Sequence, residues 1–165
     1  MRMFNILLTT ILLAMLGSFS LGAQAADGAI KLTSIAQVEV EVIDQKGKKT
    51  LKRTPVDKAV PSTEVIYTTT FENIGNKSAS DIVINNPLPN DSEYKAGSAF
   101  GKDSEILFAV DGGKKFGHAE ELKIKGADGK ERIALPKEYT HIRWTYKGQL
   151  AAGKSGEVGF RTVVK

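Results

Sequence analysis

The chain has 165 residues, 23 of them Lys or Arg against 19 Asp or Glu, and it contains no cysteine. The missing thiols exclude disulfides, thiol catalysis, thiolate metal sites and anchoring through a lipidated N-terminal cysteine. A formal net charge of +4, spread along the chain, is too mild and too dispersed to argue for nucleic acid as a partner.

The first segment reads as a cleavable secretory signal peptide. Arg2 is the only charge before Asp27, and Ile6 to Leu16 is an apolar run broken only by Thr9 and Thr10. Gly17, Ser18, Ser20 and Gly22 follow, and Ala23-Gln24-Ala25 supplies the small residues that a signal peptidase inspects. Cleavage is expected between Ala25 and Ala26, leaving residues 26–165 as a single exported domain. The apolar run is about half of the roughly 20 residues that a spanning helix needs. Removing Arg2 from the 23 basic residues against 19 acidic ones leaves a balance of +3.

The rest reads as strands separated by turns. Val38, Val40 and Val42 alternate with Glu39 and Glu41, the period of a half-buried strand. Lys46-Gly47-Lys48 predicts a hairpin into a short basic strand, Lys49 to Arg53, and Pro55 and Pro61 bracket a connection. Glu64 to Asn73 is the strongest strand, with Val65, Tyr67, Thr69 and Phe71 on one face. Asn73-Ile74-Gly75-Asn76 is turn chemistry, and Asp81 to Asn85 is a strand ended by Pro87 and Pro89. Ile106 to Val110 runs into Asp111-Gly112-Gly113, a hairpin signal, and Asp128-Gly129 is another. Thr140 to Lys147 alternates again, with Ile142, Trp144 and Tyr146 inward; Val158, Phe160, Thr162 and Val164 form the last strand. Tyr67, Phe71, Trp144 and Phe160 are the expected core, and no helix is expected.

Three of these segments together resemble a bacterial conserved-repeat family, domain of unknown function number eleven. They are Val65 to Asn76, Ala79 to Pro89 and Leu150-Ala151-Ala152-Gly153, and the likeness spans about Pro61 to Lys165. The family pattern is a tyrosine strand, an asparagine-x-glycine turn, a strand ending in proline-x-proline, and a leucine-alanine-proline-glycine turn. Asn86 stands where an aspartate is common, and Ala152 where a proline is usual. The resemblance implies an all-β, immunoglobulin-like β-sandwich of about seven to nine mostly antiparallel strands, in an exported or surface protein with no established activity. A single copy implies a small stand-alone member.

Candidate chemistry is sparse. Ala109 to Phe116 resembles an Asp-box, which as one copy is a folding element with Asp111 capping the turn and Phe116 packing. His118 and His141 lack a histidine partner at ligand spacing, and the pairs Asp91/Glu93 and Asp103/Glu105 read as solvated strand or loop. No metal, cofactor or serine-nucleophile motif is present. Asn85 or Asn86 could in principle join a lysine in an isopeptide bond, but Asn86 is already accounted for by an Asn-Pro turn. Lys46, Lys48, Lys49, Lys52 and Arg53 read as an edge guarded against aggregation, with a patch for acidic polymers or anionic membrane surfaces as the alternative. Arg143 and Arg161, with His141, are candidates for a second cationic face, and Tyr94 and Tyr139 for loop-side rings that stack on sugars. The expectation is a non-enzymatic binding or structural module that meets an envelope protein or polymer, periplasmic or secreted. Carbohydrate binding is the alternative, and a cryptic hydrolase the second.

Overall fold

A computed structural model describes residues 29–45 and 47–165. The segment expected to be a signal peptide, with its expected cleavage point between Ala25 and Ala26, lies outside the described residues. Eleven strands follow one another among them: β1 (Ile30–Ile43), β2 (Lys49–Pro55), β3 (Glu64–Asn73), β4 (Ile82–Pro87), β5 (Ser92–Tyr94), β6 (Phe100–Gly101), β7 (Ser104–Ala109), β8 (Lys123–Lys125), β9 (Glu131–Ile133), β10 (His141–Tyr146) and β11 (Ser155–Val164). One 3-10 turn, Pro136–Glu138, precedes β10. The count exceeds the seven to nine expected because β5, β6, β8 and β9 are only two or three residues long. Runs that short carry too little alternation to be read from sequence.

The protein is all-β, and every strand pair is antiparallel. One sheet runs β2-β1-β3-β11-β5, with β6 also paired to β11; a second runs β4-β10-β7; β8 and β9 form a separate hairpin. Among the described residues no helix is long and apolar enough to cross a membrane.

Period-two alternation decides which side chains meet between the two sheets. Phe71, Val158 and Phe160 from the larger sheet pack in one cluster with Ile82, Ile84, Phe108, Ile142 and Trp144 from the smaller. Phe71, Trp144 and Phe160 are core, as expected. Tyr67 is a correction. Its ring faces inward and stacks on Phe160 with centroids 5.0 Å apart, yet the residue is only half-buried. Tyr67 packs against the core cluster without being enclosed by it.

Turn chemistry behaves as expected, with one exception. Gly47 and Gly129 take positive φ in the β1–β2 and β8–β9 hairpins. Asp111 caps its turn by accepting from the backbone N–H of Lys114 and Lys115 at 3.0 and 3.1 Å. That turn does not return a full strand: after it, only the isolated bridge Phe108–Gly117 forms. The partner β7 takes instead is β10, because Thr140 to Tyr146 offers the apolar face that Gly117 and its neighbours lack.

Gly159 in β11 shows how closely the larger sheet is packed. A Cβ there would lie 2.5 Å from the Tyr67 carbonyl oxygen and 2.6 Å from the Phe100 ring. Gly159→Ala is expected to destabilise the fold by about 1–3 kcal/mol through overpacking, read as a lower denaturant midpoint at unchanged slope.

Candidate functional site

The four side chains singled out for binding do not meet as a site in the way the sequence suggested. Arg143 lies on β10 and Arg161 on β11, in different sheets, so they share no cationic face. The Arg143 guanidinium sits 3.7 Å over the Phe116 ring, and its Nε donates to Asn85 Oδ1 at 2.8 Å. Phe116 therefore packs, as the Asp-box reading expects. Asn86 Nδ2 donates to Thr69 Oγ1 at 3.0 Å. Both asparagine amides are thus engaged without a lysine.

Arg161 is held by carboxylates. Its Nη1 donates to Glu64 Oε1 at 2.7 Å and Glu39 Oε2 at 3.0 Å, and its Nη2 to Glu39 Oε1 at 3.1 Å. Lys95 closes on Glu64 at 2.5 Å and Arg53 on Glu39 at 3.3 Å. This network ties β1, β2, β3, β11 and the segment after β5 across the outer face of the larger sheet. The hydrogen bond from Arg161 leads in holding the Glu39 carboxyl below its ordinary 4.5, and that from Lys95 leads for Glu64, where Arg161 adds to it. Folded-state values below those of the unfolded chain mean stability that is present above about pH 4.5 and lost as pH falls through the lower folded values. The melting temperature is therefore expected to fall more steeply below pH 4.5 in the wild type than in a Glu39→Gln, Glu64→Gln double variant. Parallel acid profiles by circular dichroism would show the network to be idle.

Tyr94 and Tyr139 are the larger correction. Both are buried, with 7% and 9% of their surface exposed, so neither offers a free face to a sugar. Tyr94 follows Ser92 inward along β5, with Glu93 outward between them. Tyr139 is turned in by the 3-10 turn, where Pro136 pre-sets the backbone and Glu138 accepts from the Leu135 N–H at 2.7 Å while gripping Arg132. That double engagement, led by Arg132, lowers the Glu138 carboxyl to about 2.

The two tyrosines instead build one wall of an apolar cleft. Phe108 lies 4.7 Å from Tyr139 and 5.4 Å from Tyr94, ring centre to ring centre. Opposite the rings stand small residues, Ala96, Gly97, Ala99 and Ala119, with Ile106 and Pro136 completing the lining. The cleft holds about 330 Å³ and none of its lining residues is charged. The other concavities described are each lined in part by charged side chains.

One hydroxyl of the lining has no protein partner among the described residues. The Tyr94 hydroxyl accepts from the Ala99 N–H at 3.1 Å. Tyr139 is nine-tenths buried as a residue, and its hydroxyl, which makes no hydrogen bond among the described residues, keeps contact with solvent. Burial pushes its acidity constant up, with Tyr94 and Glu120 adding to the effect, so the group stays protonated and able to donate. Sequence reasoning missed the cleft because its small residues read only as turn and loop. The alternation Ser92-Glu93-Tyr94 was the one signal of an inward tyrosine.

Among the described residues no three His, Asp or Glu side chains come together as a metal site. In comparisons with known proteins, no family model, no curated protein and no solved structure matches the chain.

Proposed function

We propose that the chain is an exported, non-enzymatic binding module of the bacterial cell envelope, folded as an immunoglobulin-like β-sandwich and working through the Tyr94–Phe108–Tyr139 cleft. The cleft carries this reading: an uncharged hollow walled by rings and small residues, with one unpartnered hydroxyl, has the make-up of a small-molecule site. Export rests on the signal-peptide pattern of residues 1–25.

The sandwich reading is supported by the strand layout. With the edge strand β2 and the two-residue β6 set aside, β1, β3, β11 and β5 in one sheet and β4, β10 and β7 in the other match the four-and-three arrangement of immunoglobulin constant-type domains. The connectivity differs, since the last strand in the chain takes the place beside β3 that the fifth takes there. Membership of the conserved-repeat family is part of the same proposal. Its asparagine-x-glycine and leucine-alanine-x-glycine elements meet in space: Asn73 Nδ2 donates to the Leu150 carbonyl at 2.8 Å, and Gly153 N–H to the Asn73 carbonyl at 2.8 Å. A physical contact between the two motifs explains why they would occur together.

The test is methyl and amide NMR of the labelled protein titrated with native envelope extract. Shifts concentrated at Ala96, Ala99, Ile106, Ala119 and Tyr139 are expected. Shifts confined to other surfaces, or none, would overturn the cleft as the binding site.

A further inference from the structure

The walls of the cleft say what chemistry it accepts, given the reading that it is a binding site. We infer that it takes a neutral, single-chain amphiphile: a medium-length alkyl chain ending in a hydroxyl or carbonyl group that pairs with the Tyr139 hydroxyl.

Charge is the first constraint. Tyr94, Ala96, Gly97, Ala99, Ile106, Phe108, Ala119, Pro136 and Tyr139 line the hollow, and not one of them offers an ion a counter-charge. An ionised group drawn inside would lose its hydration without compensation, at a cost that apolar contact does not repay. The ligand portion that enters is therefore uncharged.

Shape is the second. The three rings are already packed on one another at tilts of 52°, 34° and 32°. No two of them stand parallel with a gap into which a flat aromatic ligand would slide. The remaining wall is methyl groups, a glycine, an isoleucine and a proline, a curved apolar surface that a flexible alkyl chain follows closely. At about 330 Å³ the space is near the lower limit of small-molecule pockets, which favours one chain of medium length over a two-chain lipid.

The third constraint is the Tyr139 hydroxyl. Tyr139 lines the hollow, and its hydroxyl has no hydrogen-bond partner among the described residues and keeps contact with solvent, so it is free to donate to a ligand. A bound hydroxyl or carbonyl oxygen would accept from it in place of the solvent that the ligand displaces. A plain alkane would leave it unmet.

Titration with decanol, decanamide and decanoate, followed by calorimetry and by the cleft methyl resonances, tests this. Decanol and decanamide are expected to bind at the cleft at least tenfold more tightly than decanoate at neutral pH. Tyr139→Phe keeps the ring and removes the donor, and is expected to weaken decanol binding roughly two- to tenfold, the worth of one hydrogen bond. Ala119→Phe fills the hollow and is expected to abolish binding; Ala119→Val, milder for folding, should weaken it. Equal affinity for decanoate, or an unchanged affinity in Tyr139→Phe, would overturn the inference. Envelope extract that shifts the cleft resonances while decanol and decanamide do not would overturn the ligand class and leave the cleft standing. Silence from both would remove the site itself.

Discussion

Replacing Trp144 by alanine is expected to lower the unfolding free energy by about 3–5 kcal/mol, the cost of lost burial plus the cavity left behind. Trp144 is the largest of the fully buried side chains described. It stands on the central strand of the smaller sheet, in register with Ile84 on one side and Ile106 on the other. Across the core its ring faces Phe160, with centroids 6.1 Å apart. Gly101 makes room for it: a Cβ at that position would lie 2.9 Å from Trp144 Cδ1. Collapse around the gap is hindered because both neighbours on the strand ladder are held by their own pairings, so most of the cavity should persist.

The indole nitrogen adds a second, separable effect. Trp144 Nε1 is buried and has no hydrogen-bond partner among the described residues. Trp144→Phe removes that unmet donor while keeping most of the apolar contact, so it should cost clearly less than Trp144→Ala. Urea denaturation followed by far-ultraviolet circular dichroism checks both, since the substitutions delete the only tryptophan in the chain. In the unmutated protein the fluorescence should be that of a water-shielded indole. A fully water-exposed spectrum would refute the inward face of β10.

Asn73→Ala is expected to cost about 2–4 kcal/mol, from three side-chain hydrogen bonds in a buried site at roughly 1 kcal/mol each and the groups left unpaired behind them. Asn73 has no exposed surface. Its Nδ2 donates to the carbonyls of Lys77 and Leu150 at 2.7 and 2.8 Å, and its Oδ1 accepts from the Gly75 N–H at 3.0 Å. The backbone of Asn73 also pairs with Lys154 and Gly153, while Ala79 and Leu150 exchange both of their own hydrogen bonds alongside. One amide therefore fastens the turn after β3 to the turn before β11. Asn73→Asp should be at least as damaging at neutral pH, because a carboxylate cannot donate to those two carbonyls and would repel them. Asn76→Ala, in the same turn but exposed, should stay within about 0.5 kcal/mol of the wild type. A loss at Asn73 no larger than at Asn76 would show that the fastening contributes nothing. Chemical denaturation of the three variants decides it.

Much of the fold was legible because strand alternation is a local property. Ile142, Trp144 and Tyr146 were read as inward from spacing alone, and Ile142 and Trp144 are fully buried. Val158, Phe160 and Thr162 behaved the same way on β11. The turns were legible for a related reason: Gly47, Gly112 and Gly129 carry positive φ, a conformation written into the residue type. Asn73 was visible as a turn residue, but its reach across to Leu150 was not, since 77 residues of chain separate the two.

The binding residues were legible only in kind. Arg161 was an outward cation from its place on the last strand, yet its two carboxylate partners come from β1 and β3. Tyr94 and Tyr139 are aromatic residues near loops, a setting in which sequence alone predicts exposure. Their burial depends on β5 joining the edge of β11, and on the 3-10 turn folding back toward it. Neither event leaves a periodic trace in a segment of three residues.

The sequence by itself determined that this is a cysteine-free, all-β chain, and it determined which faces of the long strands are apolar. Period-two patterning and turn chemistry act over a few neighbouring residues, and such information survives in one dimension. Only the tertiary structure decided which strands pair, that Arg143 and Arg161 lie in different sheets, and that two tyrosines close around an uncharged hollow instead of facing solvent. Those outcomes are set by contacts between segments tens of residues apart, where burial depends on what arrives from elsewhere in the chain.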